Sequence, residues 1–253
     1  SKNIKPFGWV TIDKTKCKKI EEAMTQNTQQ YRVNWNYIEG TKIPHIPKLI
    51  VASYDIECMS EDGISFPSPD KMGDSIIQIG TSFMYHGATD AYKKTIITLD
   101  TCDPIEGVDV ISCLNEKDLL VAWKNLILSE NPDMIIGYNT FGFDNEYIYK
   151  RAKLLGCEKE ISKIGKIHTI ESKFTEKLLA SSALGNNNLK FYKMKGRIQI
   201  DIMKAIQKEH KLDSYKLDNV ASHFIKEIVL KVEKGEKNTT KIITKQTYGI
   251  VPG

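Results

Sequence analysis

Leu49-Ile-Val-Ala-Ser-Tyr-Asp-Ile-Glu57 is a run of apolar and β-branched residues with two carboxylates near its end. Such a run predicts a buried strand. Side chains alternate faces along a strand, so Asp55 and Glu57 project side by side from one face. Two carboxylates held together repel each other and are costly to desolvate unless something positive compensates them. A divalent cation is the simplest such partner.

A second acidic position follows in Asn139-Thr-Phe-Gly-Phe-Asp144. Asp133-Met-Ile-Ile-Gly-Tyr138 reads as another buried strand. Beyond it, Ile148, Ala152 and Leu155 fall on one face of a helix. Asp144 then sits at the helix N-terminus, at the far end of a strand–loop–helix turn. Taken singly, Asp55 and Glu57 suit a solvated strand end, and Asp144 suits an ordinary N-cap. Taken together and in this order, they suit a two-metal phosphodiesterase. Hard cations such as Mg²⁺ prefer carboxylate oxygens. Two of them, roughly 3.5–4 Å apart, support an in-line displacement by water. In this reading Asp55 bridges both cations, Glu57 holds the one beside the attacking water, and Asp144 serves the other.

The rest of the chain reads as an α/β domain with flanking pieces. Residues 1–48 are polar and mixed, and end in two prolines, Pro44 and Pro47, which suggest a linker or edge segment. A Gly/Pro/Ser-rich loop through Pro69 follows the first strand. Ile76–Tyr85 and Lys94–Leu99 predict two further strands. Leu119, Leu120, Trp123, Leu126 and Ile127 have helical spacing, with Asn115 as the cap. Gly185-Asn-Asn-Asn188 is a turn signal that places an extended hairpin within 165–199. Leu217, Val220, Ala221 and Phe224 mark a helix starting near Ser214. Short connections between the first three strands favour an antiparallel meander, and the later strand–helix alternation favours parallel crossovers. The expected architecture is a ribonuclease-H-like mixed sheet of five strands with helices on both faces.

The chain has 253 residues, of which 41% are hydrophobic, enough for one sizeable core and a small second module. No apolar run is long enough to span a membrane. The five cysteines are scattered and never form a CxxC pair, which points to a reducing, intracellular compartment without structural zinc. The sequence does not begin with Met and reads as the middle of something longer. Residues 1–150 hold 15 basic and 21 acidic residues, whereas 151–253 hold 21 basic and 11 acidic. An acidic half around the carboxylates beside a basic half suits a metal site next to a phosphate-holding surface. Basic residues near Lys190–Arg197 could touch phosphates, although a Lys-rich strand also serves as a solvated face.

Asp55-Ile-Glu57 and Asn139…Phe143-Asp144 resemble the first and second 3′–5′ exonuclease motifs of the family B DNA polymerases. Asp74-Ser-Ile-Ile-Gln-Ile-Gly80, Asn131–Asn139, Gly196-Arg-Ile-Gln-Ile-Asp201 and Ser214–Ala221 are similar to that family too, in its order. The likeness is strongest to the polymerase delta catalytic subunit and its relatives in large DNA viruses. It implies a fragment of a DNA-directed DNA polymerase acting in DNA replication. Residues 1–48 would be the end of that polymerase's N-terminal domain. Residues 49–230 would be most of its proofreading 3′–5′ exonuclease domain. Residues 231–253 would be an insert or tail.

The resemblance also implies two Mg²⁺ or Mn²⁺ ions on Asp55, Glu57 and Asp144. Asn139 and Phe143 would contact the frayed DNA strand, and Lys173–Lys195 would stand where the family has a strand-separating hairpin. Arg197 and Asp201 are expected to make structural contacts. The implied partners are a single-stranded DNA 3′ end or primer–template, the remainder of the polymerase chain and a sliding clamp. The implied location is the nucleus or a viral replication compartment.

One departure matters. The family's third motif, Tyr-x-x-x-Asp, is not found; Tyr215-Lys-Leu-Asp218 has two intervening residues and lies too early. Weak exonuclease activity at best is therefore expected. Two other readings stand beside this one, a nuclease-dead nucleic-acid-binding module of polymerase ancestry and a standalone 3′–5′ exonuclease.

Overall fold

The computed structural model describes residues 4–5, 8–22, 24–167, 169–181, 185–225, 229–235 and 239–244. It divides into two compact units, Ser1–Lys204 and Ala205–Gly253. Residues 236–238 and 245–253 of the expected tail lie outside the described residues.

The first unit begins with four short strands. β1 (Trp9–Ile12) pairs antiparallel with β4 (Ile38–Thr41), and β2 (Cys17–Lys19) with β3 (Tyr31–Val33). Pro44 and Pro47 fall after β4, outside any strand, as their missing N–H groups require. Three hydrogen bonds at Gln26 tie the segment to the rest of the unit: Gln26 N–H donates to Lys166 O at 2.9 Å, Asn131 Nδ2 donates to Gln26 O at 2.9 Å, and Arg197 donates to Gln26 Oε1 at 2.7 Å.

The sheet is built from β5 (Ile50–Met59), β6 (Ser75–Tyr85), β7 (Lys93–Leu99), β8 (Asp109–Cys113), β9 (Met134–Gly137) and β12 (Ile198–Asp201). Its spatial order is β12-β9-β5-β6-β7-β8. The meander β5-β6-β7 is antiparallel, and the β7–β8, β5–β9 and β9–β12 pairs are parallel. The sheet has six strands rather than the expected five. The additional one, β8, is a short edge strand with Ile111 partly exposed, so it has no apolar run to announce it.

Register decides which residues meet the core. Ala52, Tyr54 and Ile56 of β5 lie opposite Phe83, Thr81 and Ile79 of β6, and all are buried. α1 (Glu116–Glu130) covers this face, with Leu119, Leu120, Trp123, Leu126 and Ile127 inward and the Trp123 ring 5.0 Å from that of Tyr54. Asn115 caps it, accepting from Asp118 N–H at 2.9 Å. α2 (Asp144–Leu154) and α3 (Glu158–Ile161) pack beside it. The alternate residues of β5, Ser53, Asp55 and Glu57, face the other way.

Between α3 and β12 the chain forms a hairpin, β10 (Phe174–Ser181) with β11 (Gly185–Tyr192). Gly185-Asn-Asn-Asn188 is therefore strand rather than turn, pairing with Ser181 to Leu178; residues 182–184 lie outside the described residues. In the second unit, α4 (Ile202–Glu209), which starts at the end of the first, is followed by α5 (Leu217–Phe224) and a hairpin of β13 (Val229–Lys234) and β14 (Thr240–Thr244). Tyr215 lies before α5, its hydroxyl donating to His210 O at 2.8 Å. No helix among the described residues is long and apolar enough to cross a membrane.

Candidate exonuclease site

The carboxylates predicted from sequence reach the site by different routes. Asp55 is set by strand alternation alone and is exposed, with Gly80 directly across the β5–β6 ladder. A Cβ at Gly80 would meet nothing within 4 Å, so the space beside Asp55 is open. Glu57 shares this exposed face, and a bulge between Glu57 and Cys58 breaks the ladder just after it. Asp144 comes from the opposite side, as the first residue of α2, and is only 3% exposed. Its Oδ1 accepts the Ile56 N–H at 3.3 Å, which sets it beside Asp55.

The loop that delivers Asp144 is held at both ends. Asn139 adopts φ 59°, a left-handed conformation that asparagine tolerates better than other non-glycine residues. Here Asp201, at the end of β12, accepts the N–H groups of Asn139 at 3.0 Å and Phe141 at 2.9 Å. The loop carbonyls are used as well. Asn139 O accepts from Gly142 at 2.9 Å and Phe143 at 3.0 Å, and Thr140 O accepts from Asn145 Nδ2 at 2.9 Å. Asn145 Oδ1 then accepts from the buried Tyr54 hydroxyl at 3.2 Å, locking the start of α2 to β5. The Asn139 side chain lies against the Cα of Gly142, where any Cβ would displace it.

Electrostatics set Asp55 and Asp144 apart. Burial is the main cause that pushes Asp144 up to about 7, and the charges of Asp55 and Asp201 add to it. Asp55, exposed as a residue but with its carboxyl partly enclosed by its surroundings, is also raised by burial, while a hydrogen bond with Asp144 pulls it partly back. Two carboxyl groups close enough to share a proton resist double ionisation. A cation between them would remove that resistance. Among the described residues, no group of three or more His, Cys, Asp or Glu side chains is gathered tightly enough to hold a metal ion. The structure thus brings Asp55 and Asp144 together and leaves Glu57 on their face without drawing it in.

Of the two residues expected to meet DNA, Phe143 is half-buried, its ring 5.4 Å from that of Tyr147. Its other neighbour is Phe66, whose ring is 5.9 Å away, edge-on, and 79% exposed. Sequence reasoning misses Phe66; its one signal is that of an aromatic residue inside a Gly/Pro/Ser-rich loop. That loop is ordered by carboxylates. Asp74 accepts from Glu61 N–H and Ser68 N–H, and Asp62 from Ile64 N–H and Ser65 N–H, all at 3.0 Å or less. The hairpin is tied to the same region: Lys190 N–H donates to Phe141 O at 3.0 Å, and its ammonium pairs with Glu146 at 2.5 Å. Arg197 and Asp201 make structural contacts, as expected: Asp201 accepts two backbone N–H groups, and Arg197 donates to backbone carbonyls and to the side chains of Asn131 and Gln26.

Comparison with known proteins places the chain in a family. A family model described as DNA polymerase family B, exonuclease domain, matches residues 1–220. The DNA polymerase of Pyramimonas orientalis virus is 55% identical over 157 residues, covering 62% of this chain and 13% of that protein. The DNA polymerase delta catalytic subunit of Dictyostelium discoideum is 42% identical over 177 residues, 70% of this chain and 16% of the relative. That of Candida albicans is 30% identical over 248 residues, 93% of this chain and 23% of the relative. The chain spans less than a quarter of the length of these relatives. It belongs to family B of the DNA polymerases and carries the exonuclease domain of that family.

Proposed function

We propose that the chain is the 3′–5′ proofreading region of a DNA-directed DNA polymerase acting in DNA replication, removing mispaired 3′ nucleotides. The observation that carries this reading is the Asp55–Asp144 pair, two carboxyls held together beside open space: burial raises the pKa of both, the charge of Asp55 adds to the rise at Asp144, and no cationic neighbour is among the causes acting on either. That donor set fits Mg²⁺ or Mn²⁺, which favour carboxylate oxygens. Asp55 and Asp144 would hold the ions, and Glu57, exposed on the same face, would complete the set by a side-chain movement. The ions would supply charge neutralisation for the attacking and departing oxygens of phosphodiester hydrolysis.

The protein's own groups would do the rest. Phe66 and Phe143 offer ring faces on which an unpaired terminal base can stack. Asn139, its backbone held by Asp201 and its side chain against Gly142, would offer its amide to the same strand. The partners would be the single-stranded 3′ end, the rest of the polymerase chain and a sliding clamp, in a nucleus or viral replication compartment. The absence of a Tyr-x-x-x-Asp motif in this sequence leads us to expect activity far below that of an intact family B exonuclease, because a misplaced ion costs heavily in rate.

The test is digestion of a 5′-labelled single-stranded oligonucleotide with Mn²⁺, beside an intact family B polymerase and Asp55→Ala. The expected result is slow 3′-end trimming that Asp55→Ala abolishes. The lack of a gathered three-carboxylate cluster among the described residues favours one rival, a nuclease-dead binding module. Mn²⁺ binding by calorimetry separates the two: a dead module binds the ion no better than Asp55→Ala does.

A further inference from the structure

Lys177 and Phe191 lie on one face of the β10–β11 hairpin, since Lys177 pairs with Leu189 and Thr175 with Phe191. The Phe191 ring packs against Phe141 at 5.3 Å. Across from this face the chain returns through Lys193, Lys195 and Arg197 on a rigid turn. Gly196 takes φ 84°, Lys166 N–H donates to Lys195 O at 2.8 Å, and buried Arg197 donates to Ile164 O at 2.9 Å and Gln26 Oε1 at 2.7 Å. Between hairpin and turn is a cleft of about 400 Å³, lined by Phe141, Phe191, Lys177, Lys193, Lys195 and Arg197 among others, and by no described Asp or Glu. That volume suits a small ligand or one segment of a chain.

The charges in this cleft are unbalanced in a way their neighbours are not. Lys190 and Lys150 are both paired with Glu146, whereas no described carboxylate lies within ion-pairing distance of Lys177, Lys193 or Lys195. Phe143 turns to Phe66 and Tyr147 beside the carboxylates, while Phe141 turns to Phe191, so the cleft is a separate site. Ammonium groups around aromatic rings match a strand whose phosphates and bases alternate.

We propose that this cleft binds unpaired nucleic acid without sequence preference, holding a stretch of strand outside the Asp55–Asp144 site. An acidic peptide would satisfy the lysines but would make no use of the paired Phe141 and Phe191 rings.

The experiment is fluorescence anisotropy of a labelled oligothymidylate in chelator, which isolates the cleft from metal-dependent chemistry, as a function of salt. For Lys177→Ala/Lys193→Ala/Lys195→Ala the slope of log affinity against log salt should shrink by about 2, from roughly 0.7 per phosphate on single strands. Phe191→Leu should weaken binding about fivefold at an unchanged slope. Circular dichroism checks that both variants are folded. A slope unchanged in the triple variant overturns the proposal. So does competition by poly-glutamate at equal charge combined with no effect of Phe191→Leu, since the cleft is then only a basic surface. Mn²⁺-dependent 3′-end trimming by the triple variant is measured beside its anisotropy, so loss of hydrolysis and loss of cleft binding are read separately.

Discussion

Two ionisable side chains lie two turns apart on α2, both buried, and their surroundings treat them oppositely. Arg151 is met on every side: Glu116 at 2.5 Å, Lys71 O at 2.5 Å and Met72 O at 3.0 Å. Glu116 in turn accepts the Ile76 N–H at 2.9 Å. Asp144 has backbone N–H groups and a hydrogen bond with Asp55, but the charges that act on it are the negative ones of Asp55 and Asp201. A buried charge with every partner in place fastens a helix to a sheet. A buried carboxyl facing like charges is instead resisted in its ionised form, and its pKa rises.

The largest expected effect tests the fastening half. Arg151→Met leaves Glu116 buried with only one backbone donor and frees the Lys71 and Met72 carbonyls. It should cost about 3–5 kcal/mol, measured by urea unfolding. A cost below about 1 kcal/mol would place Arg151 with the weak surface pairs such as Lys150–Asp70 and erase the contrast.

The next effect tests the other half through pH. Asp144 ionises near 7 in the folded chain and near 4 when unfolded. Between those values the folded protein keeps a proton that the unfolded chain has lost. Stability should therefore be greatest at the acidic end of that window, fall as pH rises through it, and level off above 7. The expected loss is on the order of 2–4 kcal/mol, visible as the difference in pH slope between the unaltered protein and Asp144→Asn. Excess Mn²⁺ at pH 7.5 should restore part of it, because an ion that binds only the folded state stabilises it. Equal slopes in the two proteins would mean that Asp144 ionises normally.

Which parts of the molecule are legible in its sequence depends on which forces are local. Strands β5, β6, β7 and β9 and helices α1 and α2 are legible because each buries a face, and burial imprints a period on the sequence. The hairpin strand Gly185–Tyr192 is legible only in part. A two-stranded ribbon has little buried face to select against Gly and Asn, so its strand carries the residues of a turn. Asp55 is legible because alternation is local. The hold of Asp201 on the Asn139 and Phe141 amides is not, because it depends on the parallel register of β12 with β9, which sets Asp201 opposite Gly137. Phe66 is hidden for the same reason, since its contact with Phe143 exists only once the loop after β5 folds back over α2.

Two glycines beside the carboxylates sharpen the contrast at smaller scale. Gly137 ends β9 on the packed side of the site, where a Cβ would come within 2.7 Å of the Tyr54 carbonyl. Gly137→Ala should force β9 from β5 and cost about 1–3 kcal/mol. Gly80 borders Asp55 on the open side, where an added Cβ meets nothing. Gly80→Ala should be neutral or stabilising by up to about 1 kcal/mol, since glycine weakens a strand. Gly80→Leu then separates room from stability. If the open space beside Asp55 is where a cation sits, filling it should weaken Mn²⁺ binding by about tenfold while the urea midpoint stays put. Unchanged Mn²⁺ affinity in Gly80→Leu would move the ion away from β6, toward the α2 side of Asp55, and would leave Asp144 rather than the strand pair as its principal ligand.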